Sequence, residues 1–143
     1  MDAIPTTERL RAWAKGSFPL EAAVELLIRA GKDIHAGSPW IIDYGEGNAG
    51  VDPDRLLHCA SVWSGGEQRV ARIAASLSGG ERVDLSNEIC GLHRDQLEMV
   101  LAAFAHANGS HEHSCVVRNH DGCVVGFERL ASLYPWPEAA ERR

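Results

Sequence analysis

The sequence predicts an α+β fold with about five helices, a short central strand or hairpin, and a C-terminal β-hairpin. Apolar residues recur at helical spacing from Thr6 to Asn108. The segment "SCVVRNHDGCVVGFERL" is then rich in β-branched residues on both sides of "NHDG", which is a strong hairpin signal. Because strands and helices do not alternate, a doubly wound parallel sheet is disfavoured.

The first two helices have clear start and stop signals. The first begins near Thr6 or Thr7 and runs to Lys15, where Gly16 ends it. The second occupies "SFPLEAAVELLIRAGK", and Pro19 suits its first turn because the missing N–H is not needed there. The predicted buried stripe of this helix consists of Leu20, Val24, Leu27 and Ile28.

A central segment breaks the helical pattern. "PWIIDYGEGNAGV" combines strand-forming residues with a glycine-rich turn, and it predicts either a short hairpin or one strand and a loop. Asp52 then caps a third helix that extends from Pro53 to about Val62.

Ser-Gly-Gly-Glu occurs twice, at 64–67 and 78–81, around a fourth predicted helix. The first copy resembles the signature segment of ABC-type ATPases. A phosphate-binding GxxxxGK[ST] segment is missing, however, so nucleotide hydrolysis is disfavoured. A capping box explains the motif better, with Ser64 as the N-cap and Glu67 at the third helical position.

The remaining helices are a short one and a long one. Asp84 is expected to cap the short piece in "VDLSNEICGL". The long one lies in "RDQLEMVLAAFAHANG", with a predicted capping box between Asp95 and Glu98. Its expected buried stripe consists of Leu97, Val100, Leu101, Phe104 and Ala105.

Length and composition bound the class of protein. A chain of 143 residues predicts one globular domain over 1–133, followed by a C-terminal tail over 134–143. The formal net charge of −6 disfavours nucleic acid and membrane surfaces as partners. The start lacks a signal-peptide pattern and no apolar stretch is long enough to span a membrane, so we expect a cytoplasmic protein. Its four cysteines should then be thiols or ligands rather than disulfides.

Histidines and cysteines concentrate near the predicted C-terminal hairpin. His111 and His113 form a His-x-His pair, which on a strand places both rings on one face and can hold zinc. Further ligands would have to come from elsewhere: His120 and Cys123 complete the favoured set, and the alternatives are His58, Cys59, Cys90 and His93. No cofactor is expected on other grounds. The alternative is a polar loop with cysteines as small core residues.

A second candidate site is an anion site at the start of the fourth helix. It comprises Ser64, Gly65, Gly66, Arg69 and Arg72. Exposed amides at a helix N-terminus bind anions, and the two arginines lie nearby. The same arginines give a helix-turn-helix alternative, which the neighbouring carboxylates oppose.

"GSFPLEAAVELLIRAG", "PWI" and "SGGEQRVARIAASLSGG" together resemble a set of small actinobacterial proteins of no established activity. The resemblance implies one compact cytoplasmic domain, and it transfers no catalytic residue to this chain.

The sequence therefore predicts a small non-catalytic domain that acts through protein–protein interaction, with another protein or with itself. The four tryptophans could form a contact patch, and Trp40, Trp63 and Trp136 lie nearest to loops. The equally weighted alternative is that all four belong to the core. A metal-binding protein and a nucleic-acid-binding regulator are the alternative functions, and no residue pattern fixes a catalytic site.

Overall fold

The computed structural model describes residues 4–30 and 34–138 of the chain. Within these ranges the fold is α+β, as predicted, with six α-helices and two separate two-stranded antiparallel sheets. The helices are α1 (Thr6–Ala14), α2 (Phe18–Ala30), α3 (Pro53–Ala60), α4 (Gly65–Leu77), α5 (Leu85–Ile89) and α6 (Arg94–Asn108). The strands are β1 (Ile41–Gly45), β2 (Asn48–Val51), β3 (Ser114–Arg118) and β4 (Val124–Arg129), and a 3-10 turn covers Ser110–Glu112.

The core lies between helices α2, α4 and α6. Helix α2 packs most extensively against α6 and next against α4. In α2 the predicted stripe is partly right, because Val24 and Leu27 are buried while Leu20 and Ile28 are only partly buried. All three helices bury alanines, whose small side chains let neighbouring helix backbones approach closely.

Helix α6 is rotated relative to the sequence-based expectation. Val100 and Ala105 are buried as predicted, but Leu97, Leu101 and Phe104 each leave more than a third of their surface exposed. Its other buried side chains are Met99, Ala102 and Ala103. The tight α2–α6 contact therefore uses the small residues of α6, and its larger side chains lie at the edge of the core.

The tryptophans are mostly core residues, contrary to the contact-patch expectation. Trp40 is fully buried and Trp63 is nearly so, while Trp13 and Trp136 pack against the core and are partly buried. Trp40 directly precedes the β1–β2 hairpin, in which Ile41 pairs with Val51, and this hairpin packs on α1. The hairpin reading of the central segment is thus confirmed.

The helix caps follow the sequence signals with one exception. In α4, the Ser64 hydroxyl accepts from the Glu67 amide, and the Glu67 carboxylate accepts from the Ser64 amide, so the predicted capping box is present. Asp84 caps α5 through the Ser86 amide. The Asp95–Glu98 capping box is wrong, because α6 begins two residues earlier, with His93 as the N-cap and the Gln96 side chain accepting from the His93 amide.

None of the described helices is long and apolar enough to cross a membrane. The longest, α6, has 15 residues, whereas a spanning helix needs about 20 apolar residues.

Gly79 and Gly80 end α4 in different ways, and alanine at each should destabilise the fold to a different extent. Gly79 has a φ of +90° and open space where a Cβ would lie, so Gly79→Ala should cost only the left-handed strain of about 1 kcal/mol. A Cβ on Gly80 would lie 2.7 Å from Pro53 Cβ and 2.8 Å from the Ala75 carbonyl oxygen. Gly80→Ala should therefore lower the free energy of unfolding by about 2–3 kcal/mol. Urea unfolding measures the stability of both variants. Equal losses of stability would contradict the close approach of Gly80 to Pro53 and Ala75.

Candidate functional site

A cleft of about 600 Å³ opens between the end of α1, the start of α2 and the end of α6. Its volume lies within the range of small-molecule sites. We call it the α1–α2 cleft, and its lining residues are Arg11, Ala14, Lys15, Phe18, Glu21, Val24, Glu25, His106 and Glu112. Gly16, with a φ of +102°, lets the chain turn sharply between the two helices that form its walls.

Glu21 and His106 form the central polar pair of this cleft. Glu21 lies in the first turn of α2 and His106 in the last turn of α6, so the antiparallel packing of the two helices brings them together. His106 Nε2 lies 2.8 Å from Glu21 Oε1, and the Gly16 amide donates to Glu21 Oε2 at 2.8 Å. Burial opposes ionisation of Glu21, but these two hydrogen bonds outweigh it and hold the pKa of Glu21 below its ordinary value.

The other nitrogen of the same imidazole is also occupied. Trp136 Nε1 donates to His106 Nδ1 at 3.0 Å. Because an indole nitrogen can only donate, Nδ1 must carry the lone pair, and the ring proton then belongs to Nε2, facing Glu21. Both ring nitrogens of His106 thus have partners, so the imidazole has no free nitrogen with which to act on a bound molecule.

The segment 134–138 packs around the imidazole of His106 and is held there by several contacts. The Arg29 guanidinium lies over the Trp136 ring at 5.1 Å and donates to the Pro137 carbonyl at 2.9 Å. His111 contacts Trp136 edge-on, and its Nε2 lies 2.9 Å from the Tyr134 carbonyl oxygen. The described part of the predicted tail therefore packs back on the domain, and residues 139–143 lie outside the described ranges.

Glu25 is the most strongly held carboxylate of the cleft. Its two oxygens accept from Arg11 Nε and from Arg29 Nε, the latter at 3.0 Å, and its side chain is 14% exposed. Burial raises the pKa of Glu25, but the hydrogen bonds from the two arginines outweigh it and lower the pKa overall. This carboxylate ties α1 to α2 beneath the cleft.

The four predicted metal ligands are spread along the hairpin and its approach. His111 is partly buried beside Trp136, whereas His113, His120 and Cys123 are exposed. Residues 4–30 and 34–138 contain no group of three or more His, Cys, Asp or Glu side chains placed to hold a metal ion. All four cysteines are free thiols. The zinc hypothesis gains no support from this geometry and stays a prediction.

The predicted anion site keeps its helix N-terminus but not its arginines. Arg69 donates to the Asn87 carbonyl, and Arg72 Nε pairs with the buried carboxylate of Glu88 at 2.7 Å. Both guanidiniums therefore bind protein groups near α5 rather than an anion next to Ser64. Gly66 is buried, and an added Cβ there would meet the Gln96 side chain at 2.4–3.0 Å. The anion and nucleic-acid hypotheses for this helix stay predictions without a supporting contact.

Sequence reasoning missed the pairing of Glu21 with His106 and the role of Trp136. Glu21 and His106 are 85 residues apart, and no local pattern links them. A weak signal existed for the cleft itself, since Arg11 and Lys15 are four residues apart and so share one side of α1.

Replacing the buried carboxylate tests these electrostatics. Glu25→Gln should lower the free energy of unfolding at pH 7 by about 2 kcal/mol, because the amide removes the negative charge to which both Arg11 and Arg29 donate. The folded-state pKa of Glu25 lies below its ordinary value of 4.5, so its stabilisation is full above that pH and is lost as the pH falls through 4.5 towards the folded pKa. Urea unfolding should therefore show that the difference in free energy of unfolding between wild type and Glu25→Gln becomes smaller over that pH range.

The matched control is Glu98→Gln, which removes an exposed carboxylate for which the described residues provide no ion pair. It should change stability by less than about 0.5 kcal/mol at either pH. If wild type and Glu25→Gln differ by the same free energy of unfolding at neutral and at acid pH, the assigned ion pairs are contradicted.

Comparison of the chain with protein-family models, curated proteins and solved structures finds no match in any of the three. The resemblance to small actinobacterial proteins therefore stays a prediction.

Proposed function

We propose that this chain is a small, non-catalytic cytoplasmic domain that works through protein–protein contact, and that its partner is a second copy of itself. The contact is made by one face of the β3–β4 hairpin. We call this face the hairpin surface and define it by Val116, Val125 and Phe127.

Exposed apolar area supports this choice of surface. Of the sixteen large hydrophobic residues that are exposed in the described ranges, eight lie between residues 116 and 134. Three of these eight, Val116, Val125 and Phe127, form the hairpin surface. Clustered exposed apolar residues often mark sites of protein–protein contact.

The pairing of β3 with β4 puts these side chains on one face. Val116 lies directly opposite Phe127 in the antiparallel register. Val125 is two residues before Phe127 on the same strand, and residues two apart share a face. The exposed fractions are 45% for Val116, 62% for Val125 and 77% for Phe127. The opposite face carries Cys115 and Gly126, which are partly covered.

The hairpin is also poorly supported by the rest of the fold. The apolar core includes no residue of β3 or β4. A two-stranded hairpin without a packed face is marginally stable in water, and its open edges favour pairing with another chain. Association through the hairpin surface would supply the packed face that the hairpin lacks.

The charges at the two ends of the hairpin favour a second copy as the occupant. Asp121 lies exposed at the turn. Arg129 lies at the base on the same face as Phe127; it pairs with Glu112, but its side chain is still 68% exposed. Two hairpins packed face to face and antiparallel about a two-fold axis bring each Asp121 towards the Arg129 of the other copy. Such a contact is self-complementary, as the interface of a symmetric dimer requires.

Phe127→Lys should abolish self-association, because it places a charge at the centre of the apolar contact. Sedimentation equilibrium should give a dimer mass for the wild type and a monomer mass for the variant at the same concentration. Val62→Lys is the matched control, since Val62 is 86% exposed and lies in the turn between α3 and α4, outside the hairpin. The control should remain dimeric.

Asp121→Arg tests the antiparallel arrangement, because it opposes like charges at both ends of the contact. It should weaken the dimer at least five-fold at low salt, and the difference should shrink as salt screens the charges. A wild-type chain that stays monomeric at all concentrations would refute the proposal. So would a dimer that Val62→Lys disrupts as strongly as Phe127→Lys.

A further inference from the structure

We propose that the α1–α2 cleft binds a small organic anion that carries a carboxylate or phosphate on an apolar body. This proposal does not require self-association: no residue of the hairpin surface lines the cleft, and the two regions are joined only by the ion pair between Glu112 of the cleft and Arg129 of the hairpin. The cleft offers an apolar wall, a cationic edge at the end of α1, and carboxylates that already accept hydrogen bonds from partners within the protein.

The apolar wall consists of Ala14, Phe18 and Val24. Ala14 and Val24 are buried, whereas the Phe18 ring is 40% exposed. That ring meets His106 edge-on, with centroids 6.3 Å apart, and it crowds Gly109, where an added Cβ would lie 3.0 Å from it. Phe18 is therefore held in place from one side while its other side remains open to a ligand.

The carboxylates of the cleft do not favour a cationic ligand. Glu21 accepts from the Gly16 amide and the His106 ring, and Glu25 accepts from two arginines. Glu112 pairs with Arg129 at 2.8 Å. Because each negative charge already has hydrogen-bond donors, a cation entering the cleft would have to compete with these partners.

The cations of the cleft are compensated less completely. Arg11 and Lys15 are four residues apart at the end of α1, so their like charges repel one another. Arg11 is paired with Glu25, but its side chain remains 46% exposed. Only its Nε and Nη2 atoms donate to Glu25, so other N–H groups of the guanidinium remain available. Within the described ranges, the exposed ammonium of Lys15 has neither a hydrogen bond nor an ion pair. An anion placed between the two would offset this repulsion.

The shape of the ligand follows from this arrangement. Its charged group would lie against Lys15 and the outer N–H groups of Arg11, and its apolar body would lie on Phe18. The volume of about 600 Å³ accommodates a ring or a branched chain with one anionic group. A bare inorganic anion would leave the Phe18 wall unused and should bind more weakly.

Phenylacetate and its neutral isostere phenylacetamide are suitable probes. Titration of the ¹⁵N-labelled protein with phenylacetate should shift the amide signals of Gly16 and Phe18 saturably, whereas phenylacetamide should bind at least five-fold more weakly. Lys15→Gln should weaken phenylacetate binding at least five-fold and leave phenylacetamide binding unchanged. Arg82→Gln, which removes an exposed cation lining a different surface pocket, is the matched control and should bind phenylacetate like the wild type.

Three results would each overturn the proposal. The first is the absence of saturable shifts at Gly16 and Phe18 when phenylacetate reaches about 20 mM, which is roughly the upper limit for detecting specific weak binding. The second is equal binding of phenylacetate by Lys15→Gln and the wild type. The third is a set of shifts confined to Val125 and Phe127, which would place the probe on the hairpin surface. None of these results bears on the dimer mass, so the two proposals fail independently.

Discussion

The close packing of α2 against α6 is the constraint on which the rest of the structure depends. Both helices bury small side chains, Ala22 and Ala23 in one and Ala102 and Ala103 in the other. This lets the helices run antiparallel with the start of α2 next to the end of α6. Glu21 meets His106 only for that reason. The carboxylate also lies near the N-terminus of α2, where the helix dipole favours a negative group.

The same packing determines which surfaces are left for function. With the small face of α6 turned inward, the larger Leu97, Leu101 and Phe104 lie at the edge of the core rather than within it. The core is complete without the last two strands. Apolar residues of the C-terminal hairpin are therefore available for contact with another molecule, while the tryptophans that the sequence offered for this role stabilise the domain from within.

Local features of the fold could be predicted, and long-range ones could not. The Ser64–Glu67 capping box and the Asp84 cap each depend on residues within four positions of one another. The rotation of α6 depends instead on which of two apolar stripes meets α2, and periodicity alone does not distinguish them. Arg72 illustrates the same limit, because its buried partner Glu88 lies on a different helix. The cleft and the Glu21–His106 pair arise from tertiary packing, so no local sequence motif predicts them.

The fastening of the C-terminal segment has a kinetic consequence. Arg29 and Pro137 are 108 residues apart along the chain, so their contact joins an early helix to the last described residues. Closing any such loop costs conformational entropy, which rises slowly with loop length. The segment is held by a few hydrogen bonds and one partly buried ring rather than by a continuous core. We therefore expect it to be the last part of the domain to dock during folding, and the first to open in native-state hydrogen exchange.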